Sequence, residues 1–317
     1  MTPLNICIMY NRVDERHLRE IERIAPGARV VRAGRDDQAA ALRDAHISFG
    51  AFPPDLVEQA PLLKWIHLTS AGADRFVRSP VVRERGITIT NSSGCFGIPI
   101  SEHVFALMLG LTRGLGRLVR AQVRSAWERP PFLGELHGAT LGILGLGDIG
   151  TEVARRAKAF GMRVIAMKRR PAERPSFVDE LWGPEGTDRV VREADVLVLC
   201  LPGTEATRGI LSRERIRSMR RGAYVVNIGR GSLIDEPALI EALASGHLAG
   251  AGLDVFAEEP LPSSSPLWHM ENVIITPHTA GNSPNHPERT TAIFLRNLER
   301  FVRNEPLENV VDLDWGY

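Results

Sequence analysis

Short apolar runs alternate with segments of helical periodicity over the first hundred residues. The apolar runs are NICIMY, ARVVRA, HISFGA and GITITN, and the Arg/Glu-rich segment RHLREIERIA separates the first two. Strands that alternate with helices are typical of a parallel sheet, in which each helix crosses back to the same edge. We therefore predict an α/β domain at the start of the chain.

A longer apolar segment, SEHVFALMLGLTRGLGRLVRA, follows at residues 101–121. Its apolar positions recur at helical spacing, and Ser101 is a suitable N-cap. The pattern predicts a single helix, long enough to cross between domains. The Pro/Gly-rich stretch SAWERPPFLGELHG at 125–138 then predicts an irregular connection.

The rest of the chain repeats the alternation of strands and helices. Its predicted strands are ATLGILG, MRVIAM, DVLVLCLP, AYVVNIG, LAGAGLDVF and NVIITPH, and most are continuous apolar runs. Such runs are typical of parallel strands buried on both faces. The last segment, NHPERTTAIFLRNLERFVRN, predicts an amphipathic helix that returns to the first domain. The expected fold is α/β, with two doubly wound parallel-sheet (Rossmann-like) domains, the first of them discontinuous.

Charge and composition narrow the classes of function. Lys and Arg number 39 and Asp and Glu 38, so the net charge of +1 predicts neither a nucleic-acid footprint nor a polybasic membrane surface. No apolar run is long enough to span a membrane, and the N-terminus becomes charged too early for a signal sequence, so we expect a cytoplasmic protein. Cys7, Cys95 and Cys200 lack metal-site spacing, which predicts no metal site.

A glycine-rich turn, GLGDIG at residues 145–150, lies between a predicted strand and a predicted helix. In this G-x-G-x-x-G pattern Gly145 permits a tight turn, Gly147 lets the backbone approach a pyrophosphate, and Gly150 permits close helix packing. The helix N-terminus offers free N–H groups to the anion. The alternative is a turn without a ligand, which the strand–turn–helix context disfavours. We predict a dinucleotide site, although the motif alone does not separate dehydrogenases from nucleotide-binding methyltransferases.

Three polar residues follow three later predicted strands: Arg230 in NIGRGSLIDE, Glu259 in DVFAEEPLP and His278 in IITPHTAG. Ligands of open α/β sheets bind at the carboxyl ends of the strands, so these side chains are expected to converge on the dinucleotide. Each also has a structural alternative: a surface charge, a solvated loop acid and a buried histidine after Pro277. Their placement on successive strand ends favours a functional set.

The three side chains suffice for the reduction of a 2-oxo acid. Arg230 can bind the carboxylate and the adjacent carbonyl through its two parallel N–H groups. His278 can give the carbonyl oxygen a proton as hydride reaches the carbon. Glu259 can bond the second imidazole nitrogen and favour the protonated ring.

The chain resembles the D-isomer-specific 2-hydroxyacid dehydrogenases, which are NAD(P)-dependent reductases of 2-oxo acids. The likeness covers nearly the whole chain, in the blocks LKWIHLTSAGADRF, SEHVFALMLGL, LGILGLGDIG, VLVLCLPGTEATRGIL, VVNIGRGSLIDE, AGLDVFAEEPLP and NVIITPHTAG. It implies that Arg230, Glu259 and His278 are the catalytic set. It also implies a substrate domain of residues 1–100 and 283–317 around a dinucleotide-binding domain of residues 101–282.

The resemblance also implies binding roles. The backbone of Ala71, Gly72 and Ala73 is expected to hold the substrate carboxylate together with Arg230. Besides the three glycines of the turn, the residues expected to contact the cofactor are Asp148, Ile149, Leu201, Pro202, Ile228, Gly229, Asp254, His278, Ala280 and Gly281, with Asp254 accepting from the carboxamide. Family members are commonly dimers, so we expect a homodimer through the nucleotide domain, with the helix at 101–121 as its arm.

The segment GMRVIAMKRR ends in three consecutive cations, Lys168, Arg169 and Arg170. Lys168 stands where NAD-using chains present Asp or Glu to the ribose, about 20 residues after the glycine turn. A carboxylate there repels the 2′-phosphate of NADP, whereas cations pair with it. We predict that NADP(H) is preferred over NAD(H), with Arg169 as the principal phosphate ligand. The alternative is a solvated charge run that continues to Arg174.

The sequence does not choose the substrate. A glyoxylate/hydroxypyruvate reductase and a phosphoglycerate dehydrogenase use the same chemistry and stay open as alternatives. A non-enzymatic NAD(H)-sensing binding protein can have the same fold. The presence of all three catalytic residue types favours an enzyme.

Overall fold

The structure, a computed structural model, describes residues 3–130, 133–171 and 173–316. The chain folds as two compact units, Met1–Phe96 with Ser283–Tyr317, and Gly97–Asn282. Each unit has a parallel sheet with helices between its strands, which confirms the predicted fold class. Within the described ranges, no helix combines the length and the apolar character needed to cross a membrane.

The first unit contains a five-stranded sheet and the second a seven-stranded sheet, both entirely parallel. The first is ordered β2-β1-β3-β4-β5 and the second β12-β11-β10-β9-β6-β7-β8. The strands are β1 Asn5–Ile8, β2 Arg29–Arg32, β3 Ile47–Phe49, β4 Trp65–His67, β5 Thr88–Thr90, β6 Thr140–Leu144, β7 Arg163–Met167, β8 Glu180–Trp182, β9 Val196–Leu199, β10 Ala223–Asn227, β11 Leu248–Leu253 and β12 Val273–Ile275.

Helices and 3₁₀ turns connect these strands. The helices are α1 Glu15–Ile24, α2 Gln38–Leu42, α3 Asp74–Val77, α4 Pro80–Glu84, α5 Gly97–Thr112, α6 Leu115–Val123, α7 Asp148–Ala159, α8 Thr187–Glu193, α9 Arg213–Ser218, α10 Glu236–Ala244 and α11 His286–Val302. The 3₁₀ turns are Pro54–Gln59, Pro184–Gly186, Gly231–Leu233 and Pro266–His269.

An aromatic stack joins α11 to the sheet of the first unit. The Phe294 ring lies parallel to that of Phe49, with centroids 4.2 Å apart, and Trp65 stacks on both Phe294 and Phe301 at 5.4 Å. Such pairs add to the free energy gained by burying the rings. Beside the stack, burial lowers the pKa of His67 to about 3, so this ring is neutral at physiological pH.

The strands at the centre of the second sheet are buried on both faces. Every residue of β6 and β9 is buried, as their continuous apolar runs predict. β6 pairs with β7 on one side and β9 on the other, so the strand order reverses direction at β6 and β9. Their carboxyl ends therefore mark the place where an open α/β sheet binds its ligand.

The prediction of a single helix over residues 101–121 is wrong. The structure has two helices, α5 and α6, separated at Gly114, whose φ of 62° is left-handed. Ser101 is not an N-cap, because it lies buried inside α5 and its hydroxyl donates to the Ile98 carbonyl. Helical spacing continues across a break of this kind, so periodicity alone does not reveal it.

The Pro/Gly-rich connection follows α6. Residues 131 and 132 of this predicted segment lie outside the described residues. The rest of the stretch from 125 to 138 forms neither helix nor strand.

Candidate active site

The glycine-rich turn joins the end of β6 to the start of α7. Gly145 has a φ of 106°, and a Cβ there would lie 2.8 Å from the Cys200 carbonyl oxygen, so only glycine fits. A Cβ on Gly150 would overlap the Gly145 carbonyl oxygen, whereas one on Gly147 would meet open space. The Asp148 carboxylate lies over Gly97, the first residue of α5. The turn thus has the backbone form that a pyrophosphate site requires.

The three cations begin immediately after β7, beside this turn. The backbone N–H groups of Gly145 and Leu146 donate to the Met167 carbonyl at 3.0 and 3.2 Å. Lys168 and Arg169 are half-buried, and Arg170 is exposed. The next arginine in the run, Arg174, donates to the Val178 carbonyl within its own loop. The cations at 168–170 therefore lie at the sheet edge that carries the glycine turn.

Arg230 lies in a turn that Asn227 closes. The Asn227 side chain accepts from the Gly229 N–H at 3.1 Å and donates to the Arg230 carbonyl at 2.9 Å. The Arg230 guanidinium donates to the Gly229 carbonyl at 2.8 Å. A Cβ on Gly231 would overlap the Phe256 carbonyl group, so the segment after β10 packs directly on the backbone that follows β11.

Glu259 and His278 form a hydrogen-bonded pair. His278 Nδ1 lies 2.7 Å from Glu259 Oε2, and Glu259 Oε1 accepts from the Phe256 N–H at 3.1 Å. The carboxylate accepts from Nδ1, which leaves Nε2 for a second partner. The His278 side chain is 54% exposed. The structure thus brings Glu259 and His278 into contact and links both, through Phe256, to the Arg230 turn.

Asp254 fastens the residues around His278. Its Oδ1 accepts from the Thr276 hydroxyl at 2.6 Å and from the Thr279 N–H at 2.9 Å, and its Oδ2 accepts from the Ala280 N–H at 3.0 Å. The carboxylate is almost completely buried. The Asp254 carboxylate therefore bonds groups of the protein itself. Its expected bond to the carboxamide of the cofactor stays a prediction.

The remaining residues expected to line the cofactor lie along the same edge of the second sheet. A Cβ on Gly145 would lie 3.1 Å from Leu201 Cδ2, and one on Gly229 would lie 2.7 Å from the Leu201 carbonyl oxygen, so Leu201 contacts both segments. Ile228 and Ala280 are buried, and Pro202 and Gly281 are half-buried. Their contact with a cofactor stays a prediction.

Ala71, Gly72 and Ala73 lie in a turn of the first unit. The Ala71 carbonyl accepts from the Asn91 side chain and the Gly72 carbonyl from the Ser70 hydroxyl, both at 2.7 Å. The backbone N–H groups of all three have no acceptor among the described residues. Free N–H groups in a small-residue turn are the feature that an anion requires.

Sequence reasoning missed three polar residues that support this region: Asn227, Thr276 and His103. Asn227 stands in the quoted block VVNIGRGSLIDE, and a buried asparagine before a glycine turn was its available signal. His103 Nε2 lies 2.9 Å from the Thr276 hydroxyl, a contact across 173 positions that no local pattern reveals.

Comparison with known proteins agrees with the fold and the motifs. The model of the D-isomer specific 2-hydroxyacid dehydrogenase NAD binding domain matches residues 105–280. The chain is 37% identical to a glyoxylate reductase of Korarchaeum cryptofilum, over 85% of this chain and 82% of that protein. It is also 38% identical to a D-3-phosphoglycerate dehydrogenase of Methanocaldococcus jannaschii over 82% of this chain. The match spans only 49% of that relative's length.

Two solved structures extend the likeness over the whole fold. A D-isomer specific 2-hydroxyacid dehydrogenase family protein from Aeromonas salmonicida has a TM-score of 0.87 and 34% identity, covering 99% of this chain and 100% of that one. An NADPH-dependent glyoxylate/hydroxypyruvate reductase from Sinorhizobium meliloti, in complex with NADP and sulfate, has a TM-score of 0.84 and 29% identity at the same coverage. The chain belongs to the D-isomer specific 2-hydroxyacid dehydrogenase family.

Proposed function

We propose that the protein reduces small 2-oxo acids to D-2-hydroxy acids and prefers NADPH as the reductant. The observation that carries this proposal is the Glu259–His278 pair, which leaves Nε2 of a half-exposed imidazole for a second partner. It lies on the same sheet edge as the Arg230 turn and the glycine turn. A histidine bonded to a carboxylate, an arginine and a dinucleotide turn are the parts that ketone reduction needs.

Each side chain has one task in the proposed mechanism. Arg230 binds the substrate carboxylate and polarises the adjacent carbonyl. His278 donates a proton from Nε2 to the carbonyl oxygen, and Glu259 stabilises the protonated ring through Nδ1. A bound nicotinamide supplies the hydride that adds to the carbonyl carbon. Binding of the carboxylate by the N–H groups of residues 71–73, which the family resemblance implies, stays a prediction.

The residues around the glycine turn suit a dinucleotide. Open space at Gly147 and the N-terminus of α7 leave room for a pyrophosphate against backbone N–H groups. Arg169 is proposed as the principal ligand of a 2′-phosphate, with Lys168 or Arg170 assisting. The chain has no carboxylate at this point to accept a ribose hydroxyl. The NADPH dependence of the Sinorhizobium meliloti relative supports this choice.

The experiment that tests the function measures kcat/KM for a panel of 2-oxo acids with NADPH and with NADH. We expect turnover of at least one acid, and a value about ten- to a hundredfold higher with NADPH, the effect of one or two charge-assisted bonds to the phosphate. Arg169→Ala should remove most of the preference, whereas the control Arg174→Ala should not. The preference should weaken as salt rises, because part of the attraction is exposed.

Two outcomes contradict these proposals separately. A kcat/KM for NADH equal to or above that for NADPH would identify the three cations as a solvated surface. No turnover of any acid would favour the NAD(H)-sensing alternative. The panel should contain glyoxylate, hydroxypyruvate and 3-phosphohydroxypyruvate, because these substrates distinguish a glyoxylate/hydroxypyruvate reductase from a phosphoglycerate dehydrogenase.

We also propose a homodimer that buries the surface of α6. Val119, Val123 and Trp127 are 55%, 82% and 89% exposed, although apolar. Trp127 also borders a cleft of about 520 Å³ with Leu118 and Ala121. Isolated apolar side chains are common on surfaces, but several exposed apolar side chains within one short segment are typical of an interface. α5 is largely buried, so α6 and the following residues form the proposed arm.

Sedimentation velocity tests the dimer. The parent protein should sediment as a dimer at micromolar concentration, and Val123→Glu/Trp127→Glu should sediment as a monomer because two charges cannot be buried in an apolar contact. Trp315→Glu, which changes an exposed tryptophan of the first unit, is the control and should stay dimeric. A monomeric parent, or a dimeric double variant, contradicts the proposal.

A further inference from the structure

His278 occupies an unusual backbone conformation. Its φ is 53°, in the left-handed region that a residue with a side chain adopts at a cost. Its N–H donates to the Asp254 carbonyl at 2.9 Å, while the Asp254 side chain accepts from Thr276, Thr279 and Ala280. The direction of the His278 side chain thus depends on the bonds that Asp254 makes to residues 276–280.

His103, on α5, extends this set of bonds. Its Nε2 lies 2.9 Å from the Thr276 hydroxyl oxygen and 3.8 Å from Asp254 Oδ1, so the hydroxyl stands between the two charged or chargeable groups. A hydroxyl has one hydrogen, and the 2.6 Å contact assigns it to the Asp254 carboxylate. His103 Nε2 must therefore donate to the Thr276 oxygen. The hydrogen bonds run in one direction, from His103 to Thr276 to Asp254.

We propose that His103 is a positioning residue for His278, acting through this relay; the inference rests on the proposed catalytic role of His278. A donor at His103 polarises the Thr276 hydroxyl and strengthens its bond to Asp254. Asp254 then holds the backbone of 276–280 with the imidazole in place. His103 itself touches neither the substrate nor the reacting atoms in this proposal.

The test compares four variants in the full-length protein. His103→Phe keeps a ring but removes the donor, and Thr276→Val keeps the shape but removes the hydroxyl. Each should lower kcat about ten- to a hundredfold, the effect of a displaced catalytic group, while KM for the 2-oxo acid and the Kd for NADPH stay within about twofold. His103→Gln and Thr276→Ser restore a donor and should recover most of kcat.

A matched control separates positioning from packing. Thr112 is also buried on α5, and its hydroxyl donates to the Met108 carbonyl. Thr112→Val should leave kcat unchanged. The variant His103→Phe/Thr276→Val should lose no more than the worse single variant, because both changes break one relay. Unfolding by urea shows whether each variant is folded, and Thr276→Val serves if His103→Phe does not fold.

Hydrogen exchange gives a readout that does not depend on turnover. The amides of Thr279 and Ala280 donate to Asp254, so they should exchange faster in His103→Phe and in Thr276→Val than in the parent. Unchanged exchange and unchanged kcat overturn the relay. Equal losses in His103→Phe and His103→Gln also overturn it, because they assign the effect to packing. An inactive parent with faster exchange in the variants would overturn the proposed function alone.

Discussion

Replacing His278 with alanine is expected to lower kcat by about two to four orders of magnitude, the usual contribution of a placed acid or base. The proton that neutralises the developing alkoxide then has to come from water, which is neither held nor oriented. Cofactor binding should largely survive, because the glycine turn and residues 168–170 do not depend on this ring. Stopped-flow or steady-state reduction of the best 2-oxo acid measures the loss.

Two further variants test how that loss of kcat is interpreted. Glu259→Gln retains a hydrogen-bond partner without the charge, so its effect on kcat should be smaller than that of His278→Ala. His247→Ala is the control, because His247 bonds the Ile216 carbonyl and precedes β11, at the opposite edge of the sheet. If His278→Ala reduced 2-oxo acids at nearly the parent rate, the histidine would have no part in the mechanism.

Arg230→Lys is expected to lower kcat/KM for a 2-oxo acid by about a hundredfold or more. Lysine keeps the positive charge but cannot make two parallel bonds to a carboxylate and its neighbouring carbonyl, and hydrogen bonds between charged groups contribute about 1.5–3 kcal/mol each. The loss should be specific to substrates with a carboxylate. Neutral ketones should be poor substrates of the parent protein and change little in the variant.

Arg220→Lys is the matched control for this prediction. Arg220 also pairs with a carboxylate, Asp195, at 2.9 Å, but Asp195 stands just before β9, away from the carboxyl ends of the strands. Its replacement should leave kcat/KM within experimental scatter. The same result for Arg230→Lys would remove the proposed role in carboxylate recognition.

The sequence predicted the long, continuous strands of the second unit well, because a strand buried on both faces must be apolar throughout. It did not single out β4 and β8, which have three residues each. The break at Gly114 was also missed. A glycine in a helical pattern is compatible with either continuation or a turn, and tertiary packing decides between them.

The residues of the candidate site were likewise predicted only in part. Strand ends and glycine turns are local features, so they indicated Arg230, Glu259 and His278 without a structure, and the contact between Glu259 and His278 is present. Their catalytic roles stay predictions. Asn227, Thr276 and His103 were not predicted, because a supporting residue is recognised only by the partner that it bonds. The bond between His103 and Thr276 depends on how α5 packs on the second sheet, which no local pattern encodes.

The aromatic stack on α11 has a consequence for synthesis of the protein. Phe49 and Trp65 leave the ribosome early, but Phe294 and Phe301, which cover them, are made only after the whole of residues 97–282. The second unit is continuous in sequence and can complete its core while the nascent chain is still growing, since domains generally fold as units. Until α11 is made, the aromatic face of the first sheet stays uncovered. This face is the surface that a chaperone or an aggregating neighbour would contact first.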